Sequence, residues 1–188
     1  MQHPTARSLA AANDQLPDGV LIAPLTLYDD ERGAFAELYR EAWELGPRPL
    51  QWNYSHSVAN VLRGVHTHEV QYDYLVVVAG TMILALRDSR ASSSTFGRAS
   101  MMTLEWSDPH MVVIPPGVSH GFYCPEPSAY VLGVSAYFIQ PENLDCRWDD
   151  PEMGFAWPCD APLLSNRDAK AGTYGEMLAR FAAKPAAS

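Results

Sequence analysis

Basic residues and cysteines are both scarce in this 188-residue chain. Lys and Arg total 13 against 22 Asp and Glu, for a formal net charge of -9. A surface that binds a nucleic-acid backbone needs clustered Lys and Arg, so the charge argues against a nucleic-acid partner. A nucleotide carrying a diphosphate stays compatible, because a few local arginines can hold it. The three cysteines, Cys124, Cys146 and Cys159, are odd in number and fit no zinc spacing, so free thiols in a reducing cytoplasm are expected. No segment reaches the ~20 apolar residues that span a bilayer, and the first twenty residues lack a basic start and an apolar run. Neither a membrane anchor nor a leader is expected. No repeat or linker divides the chain. Residues 1–17, polar and alanine-rich, read as a flexible N-terminus, and 18–188 as a single domain with a C-terminal helical tail.

What is present is a series of short apolar strands. Val20-Leu21-Ile22 and Leu25 to Leu27 read as edge strands. Asp29-Asp30-Glu31-Arg32-Gly33 reads as a turn leading to a strand from Ala34 to Tyr39, and Glu41 to Leu45 as one helical turn. Asp73 to Asp88 is β-branched and aliphatic with a single glycine, which predicts two strands meeting near Gly80. Met101 to Leu104, Met111 to Ile114, Gly121 to Cys124 and Tyr130 to Phe138 add more. Many short strands between Gly and Pro turns predict a barrel or sandwich. Tyr174, Met177, Leu178 and Phe181 fall at helical spacing, giving a terminal helix that packs on the barrel or on a partner.

The densest chemistry lies in Arg63-Gly64-Val65-His66-Thr67-His68, then Asp73, then Pro115-Pro116-Gly117-Val118-Ser119-His120-Gly121-Phe122. Residues i and i+2 of a strand share a face, so His66 and His68 can both face inward. Asp73 enters from the next strand and His120 follows a tight turn. Three imidazoles and a carboxylate at His66, His68, Asp73 and His120 suit Fe, Mn, Ni or Zn. This spacing resembles the two motifs of the cupin superfamily, with Asp73 where glutamate is commoner. His66 has a second reading as a general base, since an imidazole titrates near neutrality. The residues alone leave open a metal site and a metal-free polar cavity.

Further words run along most of the chain. They are Asp30-Glu31-Arg32-Gly33 with Phe35 and Glu37; Gln51, Asn53 and Ser55; Asn60 to His66; Asp88 and Arg90; Ser94-Thr95-Phe96-Gly97; Ile114 to Gly117 with His120-Gly121-Phe122; Pro141-Glu142; Trp148-Asp149-Asp150-Pro151; Trp157-Pro158; and Leu164-Ser165 with Asp168. In order and spacing these resemble the dTDP-4-dehydrorhamnose 3,5-epimerase family.

The resemblance implies an all-β fold, a cupin-type jelly-roll β-barrel with short C-terminal helical segments. It also implies a homodimer in which an N-terminal segment closes the partner's site. The family's base falls on His66 and its orienting carboxylate on Asp168. Its substrate contacts fall on Tyr28, Arg32, Glu37, Gln51, Asn53 and Arg63, with His120 beside them. Four positions depart from the pattern. The proton-donating tyrosine falls on Gly133, the active-site lysine on Asp73, a glutamine on His68, and the acidic partner of the second histidine on Leu84. Tyr54, Tyr72, Tyr74, Tyr123 and Tyr130 are the candidates to replace the missing phenol.

The expected function is a cytoplasmic isomerase or epimerase of a 4-keto-6-deoxyhexose nucleotide, acting at one carbon or by keto-isomerisation with no cofactor. The alternatives are a metal-dependent cupin enzyme (oxygenase, lyase or isomerase) on a small secondary metabolite, and a non-catalytic relative.

Overall fold

A computed structural model describes residues 15–137 and 144–183. Most of the N-terminal segment, Phe138 and the Pro141-Glu142 word lie outside the described residues. Among the described residues, twelve strands and one α-helix follow one another. They are β1 (Leu21–Pro24), β2 (Leu27–Asp30), β3 (Gly33–Ala36), β4 (Gln51–Ser57), β5 (Val61–Thr67), β6 (Asp73–Ala79), β7 (Thr81–Asp88), β8 (Ala99–Glu105), β9 (His110–Ile114), β10 (Val118–Cys124), β11 (Ser128–Val134), β12 (Leu144–Asp145) and α1 (Tyr174–Ala183). The expected helical turn is a 3-10 turn at Glu41–Trp43.

The strands form two five-stranded sheets, β1-β9-β6-β11-β4 and β12-β5-β10-β7-β8, and a separate β2-β3 hairpin. All pairings between these strands are antiparallel. The expected closed jelly-roll barrel is therefore corrected. Among the described residues each sheet is open, with β1 and β4 as the edges of one and β12 and β8 as the edges of the other, and no ladder joins them. The physical reason is that inward-outward alternation buries one face equally well against a facing sheet or inside a closed barrel. Only hydrogen bonding between edges separates the two, and alternation carries no record of it.

Gly80 marks the junction between β6 and β7, as expected, yet these strands belong to different sheets. Its φ is +72°, and a Cβ there would lie 2.5 Å from the Pro127 carbonyl oxygen. Glycine thus lets the chain cross from one sheet to the other.

Three apolar clusters result. Leu75, Val77, Met82, Leu84, Leu86, Val112, Phe122 and Tyr130 fill the space between the sheets. Tyr74, Val76, Met111 and Val113 cover the other face of the first sheet together with Trp43 and Leu45. Val65, Leu144, Cys146 and Met153 meet Tyr174 and Met177 of α1 on the outer face of the second sheet. The terminal helix therefore packs on its own chain.

Candidate active site

Between the sheets, at one end of the apolar filling, a cavity of about 380 Å³ opens. Its polar wall carries Gln51, Asn53, Ser55, Arg63, His66, His68, Gln71, Asp73, His120 and Arg167, and its apolar wall Leu75, Ile114, Phe122, Leu132 and Val134, with Tyr130 beside them.

The placement of Arg63 and His66 depends on a bulge. On a regular strand, residues three apart face opposite ways. Here Phe122 pairs with Arg63 and His120 with His66, so β5 spends one more residue than β10 between these pairs. The extra residue turns both Arg63 and His66 to the cavity, as bulges re-aim side chains beside sites. Gly64 makes this feasible: its φ is +119°, and a Cβ would fall 2.7 Å from the Gly121 Cα.

His66 Nε2 lies 2.7 Å from Asp168 Oδ1. Asp168 also accepts from the Ser165 hydroxyl at 2.9 Å and from the Gly64 backbone N–H, and these bonds hold its carboxyl below the usual range despite burial. For His66, burial depresses the pKa and outweighs the opposing hydrogen bond to Asp168. The ring is therefore kept neutral. With Nε2–H donated to the carboxylate, Nδ1 carries the lone pair, which is the state a general base needs.

His120 has a different balance. Nδ1 faces the Val118 carbonyl at 3.1 Å and Nε2 lies 3.0 Å from Asp73 Oδ2. Burial opposes its charge, but the hydrogen bond and charge of Asp73 prevail and raise its pKa. His68 Nε2 approaches the same oxygen at 3.4 Å, and the Gln71 amide donates to the other at 2.5 Å. Asp73 is consequently held as a carboxylate, well below its ordinary range, against the cost of burial. It also supplies the acceptor that Leu84 cannot give to His120.

The ligand atoms of His68, Asp73 and His120 lie within 4.8 Å of one another, and this cluster can hold a metal ion. His66, counted with them in the four-residue set, is outside that group. Two imidazoles and one carboxylate leave positions open for water or substrate.

Of the residues expected to touch substrate, Gln51, Asn53, Arg63 and His120 line the cavity, and Tyr28, Arg32 and Glu37 do not. Tyr28 and the exposed Phe35 pair across the β2-β3 hairpin, whose turn carries Arg32 bound to Asp30. Glu37 follows the hairpin and pairs with Arg40.

Gly133 pairs with Trp52 and Tyr74, whose side chains lie off the cavity, and a Cβ there would sit 2.8 Å from the Trp52 ring. The cavity-facing neighbours on β11 are Leu132 and Val134. The missing phenol is thus a matter of aliphatic residues facing inward, and a side chain at 133 would point elsewhere. Of the five candidate tyrosines, Tyr130 reaches the cavity. Tyr54 is exposed, Tyr123 donates to Asn60 at 3.1 Å, Tyr74 donates to the Pro47 carbonyl, and Tyr72 packs outside the first sheet. Ser55, Gln71 and Arg167 are cavity residues that the motifs did not single out as site residues; β-strand parity from Gln51 and Asn53 could have found Ser55.

Comparison with known proteins gives the chain a family. The family model described as dTDP-4-dehydrorhamnose 3,5-epimerase matches residues 14–176. The chain belongs to this family of enzymes. A dTDP-4-dehydrorhamnose 3,5-epimerase of Neisseria gonorrhoeae is 34% identical over 169 residues, covering 86% of this chain and 51% of the relative. The chain thus spans about half the length of that relative. The crystal structure of a dTDP-6-deoxy-D-glucose-3,5-epimerase from Legionella pneumophila, in complex with dTDP-4-keto-L-rhamnose, superimposes with a TM-score of 0.82 at 29% identity, covering 90% of this chain and 94% of that one. ChmJ, a 3'-monoepimerase from Streptomyces bikiniensis solved with dTDP-quinovose, gives a TM-score of 0.77 at 28% identity, covering 95% and 88%. Among the described residues, no helix is long and apolar enough to cross a membrane.

Proposed function

We propose that this epimerase-family chain is an isomerase or epimerase of a 4-keto-6-deoxyhexose nucleotide, acting at one carbon or by keto-isomerisation. The observation that carries this reading is the His66–Asp168 pair opening into a cavity with Gln51, Asn53 and Arg63 on its polar wall. The ketone at C4 acidifies the protons on C3 and C5. Asp168 fixes the imidazole, and Nδ1 of His66 takes the proton. The enolate oxygen that forms is stabilised by donors aimed at it, and the Arg63 guanidinium on this wall is the donor in this reading. The Arg63 fork suits phosphate oxygens equally.

Inversion at carbon needs a proton returned from the opposite face. Tyr130 stands on β11 of the first sheet and His66 on β5 of the second. A sugar between the sheets would have them on opposite sides, so Tyr130 is the acid in this reading. Burial raises its pKa and keeps the phenol protonated. The exposed hairpin with Tyr28 and Arg32 supports a homodimer in which it reaches the partner's cavity.

The test is incubation with dTDP-4-keto-6-deoxyglucose in deuterated water. Exchange at C3 or C5 that disappears in His66→Asn supports the reading. Absence of exchange with the native protein, as isolated and after metal reconstitution, overturns it.

A second reading is favoured by the convergence of two imidazoles on one carboxylate oxygen. In it His68, Asp73 and His120 bind Fe, Mn, Ni or Zn, which would act as a Lewis acid at the carbonyl oxygen. Elemental analysis of protein purified without chelator decides it. Metal content at background after reconstitution excludes it.

A further inference from the structure

The cavity imidazoles are backed by a buried hydroxyl chain that touches none of them. Thr67 lies between His66 and His68 in sequence, and Ser119 precedes His120. Both are fully buried under α1. Thr67 Oγ1 and Ser119 Oγ are 2.6 Å apart, Ser119 Oγ and Ser89 Oγ 2.6 Å, and Ser89 Oγ and the Tyr174 hydroxyl 3.1 Å. At the other end Thr67 Oγ1 donates to Met177 Sδ at 3.2 Å.

A hydroxyl has one proton to give, and a thioether can only accept. The terminal sulfur therefore orders the whole row. Tyr174 donates to Ser89, Ser89 to Ser119, Ser119 to Thr67, and Thr67 to Met177. Ser119 Oγ also lies 4.0 Å from Met177 Sδ, and the shorter Thr67 contact favours this order of the row. An apolar cluster of the same shape would be about as stable, because the net gain of a buried hydrogen bond is modest. What the hydroxyls add is directional fixing of the two backbone segments they join.

We infer that the Tyr174–Ser89–Ser119–Thr67 hydroxyl row on the outer face of the second sheet sets the spacing of His66, His68 and His120 on its inner face, with Thr67 and Ser119 as positioning residues. A strand is pleated, so clamping residues 67 and 119 together fixes their neighbours on the other side. Helix α1, which lines no part of the cavity, thereby governs its geometry through Tyr174 and Met177. The kinetic part of this inference rests on the His66 base reading.

Thr67→Val keeps the shape and removes the hydroxyl; Thr67→Ser keeps the hydroxyl. Thr67→Val is expected to fold, to lose about tenfold in kcat on the keto-sugar nucleotide with KM changed by less than about twofold, and to shift the imidazole 15N resonances of His66 and His120. Thr67→Ser is expected to restore both. Tyr174→Phe, which removes the donor at the far end, is expected to move the same resonances less, and it serves where Thr67→Val fails to fold. Unchanged resonances and kcat, or a Thr67→Ser protein as impaired as Thr67→Val, overturn the inference. If native protein fails to exchange deuterium, the base reading falls and the resonances alone decide the positioning role.

Discussion

On one side of the cavity His66 meets Asp168, whose charge is shared with the Ser165 hydroxyl and the Gly64 N–H. On the other side His68 and His120 converge on Asp73, which also accepts from the Gln71 amide. The residue types are the same, and the outcomes are opposite. Around His66, burial outweighs the Asp168 carboxylate, the charges of Arg167 and His120 add to it, and the pKa falls. Around His120, the Asp73 carboxylate together with the Val118 carbonyl outweighs burial, and the pKa rises. Two imidazoles beside buried carboxylates thus shift in opposite directions according to the other charges and acceptors around each ring. One cavity can therefore hold two imidazoles with opposite tendencies to take up a proton.

The largest effect expected is at the base. His66→Asn should cost about 10²–10⁴-fold in turnover while leaving nucleotide binding in place. Solvent-exchange kinetics and calorimetric binding of dTDP check both halves. Comparable turnover in the variant would erase the distinction between the two histidine groups.

Next is the proton donor on the facing sheet. Tyr130→Phe should lower inversion by about 10²-fold or more, while deuterium exchange at the carbon served by His66 persists. Equal loss of exchange and inversion would place Tyr130 outside the return step.

A sharper division concerns the two carboxylates. Asp73→Asn should lower metal retained after reconstitution far more than Asp168→Asn does, whereas Asp168→Asn should lower turnover through the orientation of His66. Elemental analysis and turnover of both variants measure this, and parallel losses would merge the two groups into one.

The smallest effect lies away from the cavity, at a third carboxylate. Asp88 is fully buried and accepts from Arg90, Ser93 and Thr95, which lower its pKa to about 2 in spite of burial. A lowered folded-state pKa gives stability that is present above the unfolded value of 3.8 and is lost as pH falls through about 2. Its loss should amount to about 2 kcal/mol between those limits. Acid denaturation of Asp88→Asn should lack that component. An unchanged acid transition would show that the arginine clamp contributes nothing.

Much of the local structure could be read directly from the residues. The junction at Gly80, the helical turn near Glu41, the terminal helix and most strands followed from pattern and punctuation. The pairing of His66 with Asp168 came through the family's words, because 102 residues separate the two and no periodicity links them. The facing of Arg63 and His66 could not be read, since the bulge at Gly64 breaks strand parity. Nor could the outward aspect of Gly133, which a shift of one residue reverses.

By itself the sequence determined the strand content, the inward alternation, the imidazoles and carboxylates near positions 66 to 73 and 120, and the family. These are local or cumulative signals that side-chain order preserves. Only the tertiary structure decided that the sheets stay open, that Tyr130 and His66 stand on facing sheets, and that Asp73 and not Leu84 serves His120. It also decided in which direction the pKa of each imidazole moves. Those outcomes depend on hydrogen bonds between distant strands and on the balance of burial against charge, which exist only after the chain has folded.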